Sequence, residues 1–146
     1  MHVPHNSFVL VADGKKLLFF RNEGDEQFPK LEIERKEVQA NPPTREQKTD
    51  EAGRGFGTTG VARHAYSETD FHQLEEDRFA AEAAEMLKER ALRSGFDTLI
   101  VVAPPRTLGE LRKHYHKEVE KRLAGEIPKD LTGHPVTEIE KILQSH

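Results

Sequence analysis

The sequence predicts an α/β fold built on a mixed five-stranded sheet, and three observations carry that prediction. The run Leu99-Ile100-Val101-Val102-Ala103 is apolar throughout and stops at Pro104-Pro105, as a strand covered on both faces does when it hands over to a helix. Phe8-Val9-Leu10-Val11-Ala12 has the same character, but Asp13-Gly14 follows it and signals a tight two-residue hairpin. The C-terminal part then alternates strand and helix, which favours right-handed parallel crossovers.

The elements follow in order. Lys16 to Arg21 (KLLFFR) is the antiparallel partner of the first strand. Leu31 to Val38 (LEIERKEV) alternates apolar and charged before becoming wholly charged, which suits an edge strand or one with a wet face. Periodicity then disappears from residue 39 to 70, a connection of about 30 residues and far beyond usual lengths, so a mobile loop is expected there. A helix is expected from Asp70 as N-cap, with Phe71, Leu74, Phe79, Ala83, Met86, Leu87 and Ala91 as its apolar stripe and Gly95 at C′. Strand four is Thr98 to Ala103. Thr107 and Glu110 have the spacing of a capping box. Leu108, Leu111, Tyr115, Val119 and Leu123 carry the helix that follows. A short strand near Glu126-Ile127 and a terminal helix opened by Pro135 complete the chain.

The order β-β-β-α-β-α-β-α is that of a ribonuclease H-like three-layer fold, with the fourth strand expected at the centre. A flavodoxin-like fold would need a helix where Asp13-Gly14 places a hairpin. Expected core positions are Val9, Val11, Leu18, Phe79, Met86, Ile100, Val102, Leu111 and Ile139.

The 146 residues fit one domain, 1–146. Hydrophobic residues make up 35% and charged residues 33%, which points to a compact core plus an exposed polar segment. The net charge of −4 supplies no global attraction to nucleic acid or membrane, so such binding needs a local patch. The absence of cysteine excludes disulfides, thiolate catalysis and cysteine-based zinc sites, and fits a reducing compartment. The N-terminus lacks the basic and apolar regions of a secretory signal, and no apolar run approaches the roughly 18 residues that span a bilayer. A cytoplasmic protein without membrane insertion is expected.

Four segments stand out in sequence: VLVADGKKLLFFR, GRGFGTTGVARHAY, APPRTLGELR and EIPKDLT. Together, over roughly Phe8 to Leu143, they resemble the bacterial host attachment proteins, described as required for attachment to host cells. That family is in turn similar to the central domain of archaeal and eukaryotic translation release factors. The resemblance implies the same ribonuclease H-like core. In the release factors, the loop between the third strand and first helix carries a Gly-Gly-Gln tripeptide that acts on peptidyl-tRNA. Here that loop reads Gly53-Arg54-Gly55-Phe56-Gly57-Thr58-Thr59-Gly60, without the tripeptide, so peptide release is not implied.

The loop still carries a candidate contact surface. Gly53, Gly55, Gly57 and Gly60 would allow close backbone approach, and Arg54, Arg63 and His64 lie in a stretch, Gly53 to Ala65, without a carboxylate. Free amides beside guanidinium groups suit a phosphate backbone, whereas the plainer reading is a surface loop with incidental arginines. Arg106, at the carboxyl end of a parallel strand and the start of a helix, is placed to contact an anion. Equally, Pro104-Pro105 simply ends the strand.

Other constellations are weaker. Two-metal nuclease chemistry would need converging carboxylates. Asp13 and Glu75 or Glu76 are available, but strand four ends in Ala103-Pro104, and Asp13 is explained as a turn residue. His114 and His116, two apart on one helix, would diverge, and His64 and His72 lack zinc spacing. Asp130 is expected to bond local backbone. No catalytic set, metal site or cofactor is expected. The sequence therefore favours a non-enzymatic binding module that contacts the ribosome or structured RNA. The alternatives are a protein-interaction factor in an attachment pathway and a hydrolase with an unrecognised site.

Overall fold

The computed structural model describes residues 1–38 and 68–146. Strands β1 (Phe8–Ala12), β2 (Lys16–Asn22) and β3 (Leu31–Val38) are followed by helix α1 (Glu68–Leu92). Then come β4 (Leu99–Val102), α2 (Pro105–His114), α3 (Lys117–Arg122), β5 (Leu123–Ile127) and α4 (Val136–Ser145). The strands form one mixed sheet in the order β3-β2-β1-β4-β5. β1 and β2, and β2 and β3, run antiparallel; β1 and β4, and β4 and β5, run parallel. This is the ribonuclease H-like arrangement, with one correction: β1 is central rather than β4. The hairpin occupies one edge of β1 and leaves its other edge open to β4, which in turn receives β5.

The continuous apolar runs are explained by cover on both faces. Phe8, Leu10, Leu17, Phe19, Leu99 and Val101 pack beneath α1, α2 and α3. Val9, Val11, Phe20, Ile100 and Val102 pack on the opposite face with Leu131 and with Ile139 and Leu143 of α4. Eight of the nine expected core positions are buried. The ninth, Met86, is partly buried against the core. In α1 the stripe is shifted: Leu74 is 54% exposed, while Ala80 and Ala84 are buried. The side chain of Phe71 lies outside the described residues.

Several local expectations are corrected. α1 begins at Glu68, so Asp70 lies in its first turn rather than at the N-cap, and the connecting segment is 39–67. At the other end, Ser94 takes the left-handed conformation (φ 56°) expected of Gly95. The Ser94 amide donates to the Ala91 carbonyl at 3.0 Å and the Gly95 amide to the Arg90 carbonyl at 2.7 Å, a Schellman closure with Gly95 one position further on.

The capping box at Thr107 and Glu110 does not form. α2 starts at Pro105, with Pro104 as N-cap and no side-chain cap. Proline is pre-set for a first helical turn, so the helix starts before Thr107 and the threonine falls within that turn. Nor do Leu108 to Leu123 share one helix. Tyr115 and His116 are extended, His116 Nδ1 accepts the Glu118 amide at 3.0 Å to open α3, and Leu123 begins β5. His114 and His116 are therefore separated by a helix break rather than by helical rotation. Likewise Pro135 is the N-cap of α4, one residue before the first helical position.

The first hairpin is closed by Asp13 itself. Its amide donates to the Lys16 carbonyl at 2.9 Å, and its Oδ1 accepts the Lys15 and Lys16 amides at 2.7 Å each. Gly14 and Lys15 are thus the central pair instead of Asp13 and Gly14. Only Asn6 and Ser94 among the described non-glycine residues have positive φ, and Gly14 does not need it either. The glycine instead leaves room for Glu76 of α1, whose Cδ would lie 2.8 Å from an added Cβ.

Candidate nucleic-acid interface

Strand register brings the carboxyl ends of β1, β3, β4 and β5 to one edge of the sheet. Ala12 pairs with Leu17 and Lys16 with Val38, while Val11 pairs with Val102 and Val102 with Ile127. Val38, which precedes the 39–67 segment, belongs to this edge through its pairing, and Glu76, in the third turn of the helix that follows the segment, lies across Gly14 at the same edge. Pro104 and Arg106, following β4, are on the same edge. Arg54, Arg63 and His64 and the glycines Gly53, Gly55, Gly57 and Gly60 lie outside the described residues.

Arg106 is 63% exposed, with its Nε 3.9 Å from Glu76 Oε2. Such a pair is loose and solvent-screened, so the guanidinium remains able to meet another anion. The carboxylates around it are mostly engaged. Asp13 Oδ1 holds the hairpin amides, and Thr132 Oγ1 donates to Asp13 Oδ2 at 2.9 Å. Asp130 Oδ1 accepts the Thr132 amide at 3.2 Å, the local backbone bond expected of it. Lys16 Nζ reaches the Thr132 carbonyl at 3.4 Å. Lys15 and Lys129 are exposed on the same rim.

Glu110 pairs with Lys113 at 3.2 Å rather than capping α2. Asp77 of α1 has its Oδ1 3.8 Å from His114 Nε2 of α2. Among the described residues no group of three or more His, Asp or Glu side chains is placed to hold a metal. Asp13 has both oxygens in structural hydrogen bonds, Glu76 faces Arg106, and β4 runs into Ala103.

Sequence reasoning missed the link between Asp13 and Thr132. Asp130-Leu131-Thr132 is readable as a turn, but its partner 119 residues away leaves no local signal. No helix among the described residues is long and apolar enough to cross a membrane.

The fold and this edge define a class: a ribonuclease H-like domain with a long, arginine- and glycine-containing insertion rooted at the carboxyl edge of its sheet. The model of the bacterial archaeo-eukaryotic release factor family 12 matches residues 6–143, and the chain belongs to that family. No curated protein matches the chain.

Proposed function

We propose that this release-factor-related module is a non-enzymatic binding domain that contacts ribosomal or other structured RNA through the 39–67 segment. The observation that carries the reading is the common placement of Val38 before that segment, Glu76 after it and Arg106 at one edge. Arg54 and Arg63, with glycines on either side of Arg54, would then meet the phosphate backbone beside Arg106, and the missing Gly-Gly-Gln leaves the domain to bind without releasing peptide.

The test is ribosome co-sedimentation across a salt series with wild type and an Arg54→Ala, Arg63→Ala double variant. Loss of two phosphate contacts should flatten the dependence of log affinity on log salt by roughly 1.4 to 1.8 units. Equal affinity and equal slope in the two proteins would overturn the assignment. An attachment-pathway factor that binds only protein is the competing outcome and predicts no salt-dependent sedimentation.

A further inference from the structure

The opposite edge of the sheet holds a cavity of about 170 Å³ that the RNA-binding reading does not use. It opens where Ser7 leads into β1 and Thr98 into β4, and its walls include Arg21, Phe96 and Asp97. It has room for several waters or one very small organic molecule.

The lining carries both signs of charge, Arg21 and Asp97. Behind Arg21, Glu34 Oε1 accepts from Arg21 at 2.6 Å and Oε2 from Arg90 at 2.7 Å. One carboxylate thus serves two guanidinium groups, and neither arginine has another carboxylate partner among the described residues, leaving one positive charge uncompensated. Arg21 is held in place by its Nη2, which donates to the Gly95 carbonyl at 3.1 Å, while Nη1 has only a marginal contact with the Asn6 carbonyl at 3.5 Å. Asp97, which also lines the cavity, is exposed and has no hydrogen bond or ion pair among the described residues. The backbone amides of Phe96, Asp97 and Thr98, residues of the same lining, find no acceptor among the described residues. Unpaired amides beside a guanidinium favour a carboxylate, and an unpaired aspartate favours an ammonium.

We propose that this cavity binds a compact zwitterion, a small free α-amino acid, with its carboxylate toward Arg21 and the Phe96–Thr98 amides and its ammonium toward Asp97. A bare anion satisfies only Arg21 and the amides and meets Asp97 as a like charge. A bare amine satisfies only Asp97. The site lies at the edge opposite the proposed RNA rim and stands or falls separately from it.

The experiment is a ¹H–¹⁵N NMR titration of the full chain with glycine, with acetate and methylammonium as single-charge probes. Glycine is expected to shift the Asp97 and Thr98 amide resonances saturably, at lower concentration than either control. Asp97→Asn, an exposed change that removes no observed contact, is expected to weaken glycine by about fivefold without weakening acetate. Absence of a saturable glycine shift would overturn the proposal. So would acetate or methylammonium matching glycine in the wild type, or an Asp97→Asn variant that binds glycine unchanged.

Discussion

Thr132 Oγ1 lies 2.9 Å from Asp13 Oδ2 and 2.8 Å from Asp130 Oδ1, joining the first hairpin to the loop before α4. A hydroxyl carries one hydrogen and can serve only one of the two carboxylates at a time. The Thr132 amide also supplies Asp130, whereas Asp13 Oδ2 has no other donor among the described residues, so the hydrogen belongs chiefly on the Asp13 side.

Thr132→Val keeps the shape of this buried side chain and removes the donor. It is expected to lower unfolding free energy by about 1–3 kcal/mol, because a carboxylate oxygen loses its partner. Thr132→Ser should recover most of the loss. Urea denaturation measures both, and an unchanged midpoint for the valine variant would show that the link contributes nothing.

Two glycines should respond differently to alanine. An added Cβ at Gly24 would meet the Phe28 carbonyl at 2.1 Å and the Lys30 amide at 2.7 Å, both backbone atoms in the β2–β3 turn. At Gly14 it meets only the end of the Glu76 side chain, which can swing aside. Gly24→Ala is therefore expected to cost about 2 kcal/mol or more, and Gly14→Ala less than about 1 kcal/mol. Similar costs in thermal or urea unfolding would contradict this account.

Ser7 is 1% exposed, and its hydroxyl has no hydrogen-bond partner among the described residues. Removing an unsatisfied buried polar group is neutral or stabilising, so Ser7→Ala should raise stability by up to about 1 kcal/mol. A loss above that amount would mean that the hydroxyl is satisfied in solution, for example by an ordered water.

What the sequence reveals here depends on how local the cause is. β1 and β4 are legible because cover on both faces demands an unbroken apolar run, and Asp13 is legible as a turn residue. The break at Tyr115-His116 is hidden, since Leu111, Tyr115, Val119 and Leu123 keep a four-residue spacing through it, while the interruption comes from a histidine nitrogen capping α3. The helix start at Pro105 competes with a credible capping box, and fixed proline geometry wins. Strand order and the Asp13–Thr132 link are products of long-range packing. At the candidate interface, the position of Arg106 after a strand is legible in the sequence, but the Glu76 carboxylate beside it comes from another element.

Glu34 gives the fold an acid-sensitive clasp. Burial raises its pKa, but the hydrogen bonds and charges of Arg21 and Arg90 outweigh that, leaving it below the ordinary 4.5. A depressed folded-state pKa contributes stability above the unfolded value and loses it as pH falls through the folded value. The stability advantage of wild type over Glu34→Gln should thus be full at neutral pH and shrink below pH 4.5. Urea midpoints measured from neutral pH to about pH 3 test this, and a constant difference would remove the ion pair as its cause.

Arg106 and Glu76 provide the most direct test of the edge. If Arg106 meets RNA phosphate, the carboxylate 3.9 Å away opposes that contact, both by attracting the guanidinium and by repelling the incoming anion. Glu76→Gln should strengthen ribosome or RNA binding at low salt, by up to about fivefold for a loose pair, with the gain fading as salt screens it. Arg106→Ala should weaken binding and reduce the salt slope by about 0.7 to 0.9 units. Because the pair is loose and Arg106 is exposed, both changes should leave stability within about 0.5 kcal/mol of wild type. Unchanged binding in both variants would remove Arg106 from the interface while leaving the Arg54 and Arg63 contact to its own test. Weakened binding in Glu76→Gln would assign the carboxylate a positive role at the rim and overturn the electrostatic argument.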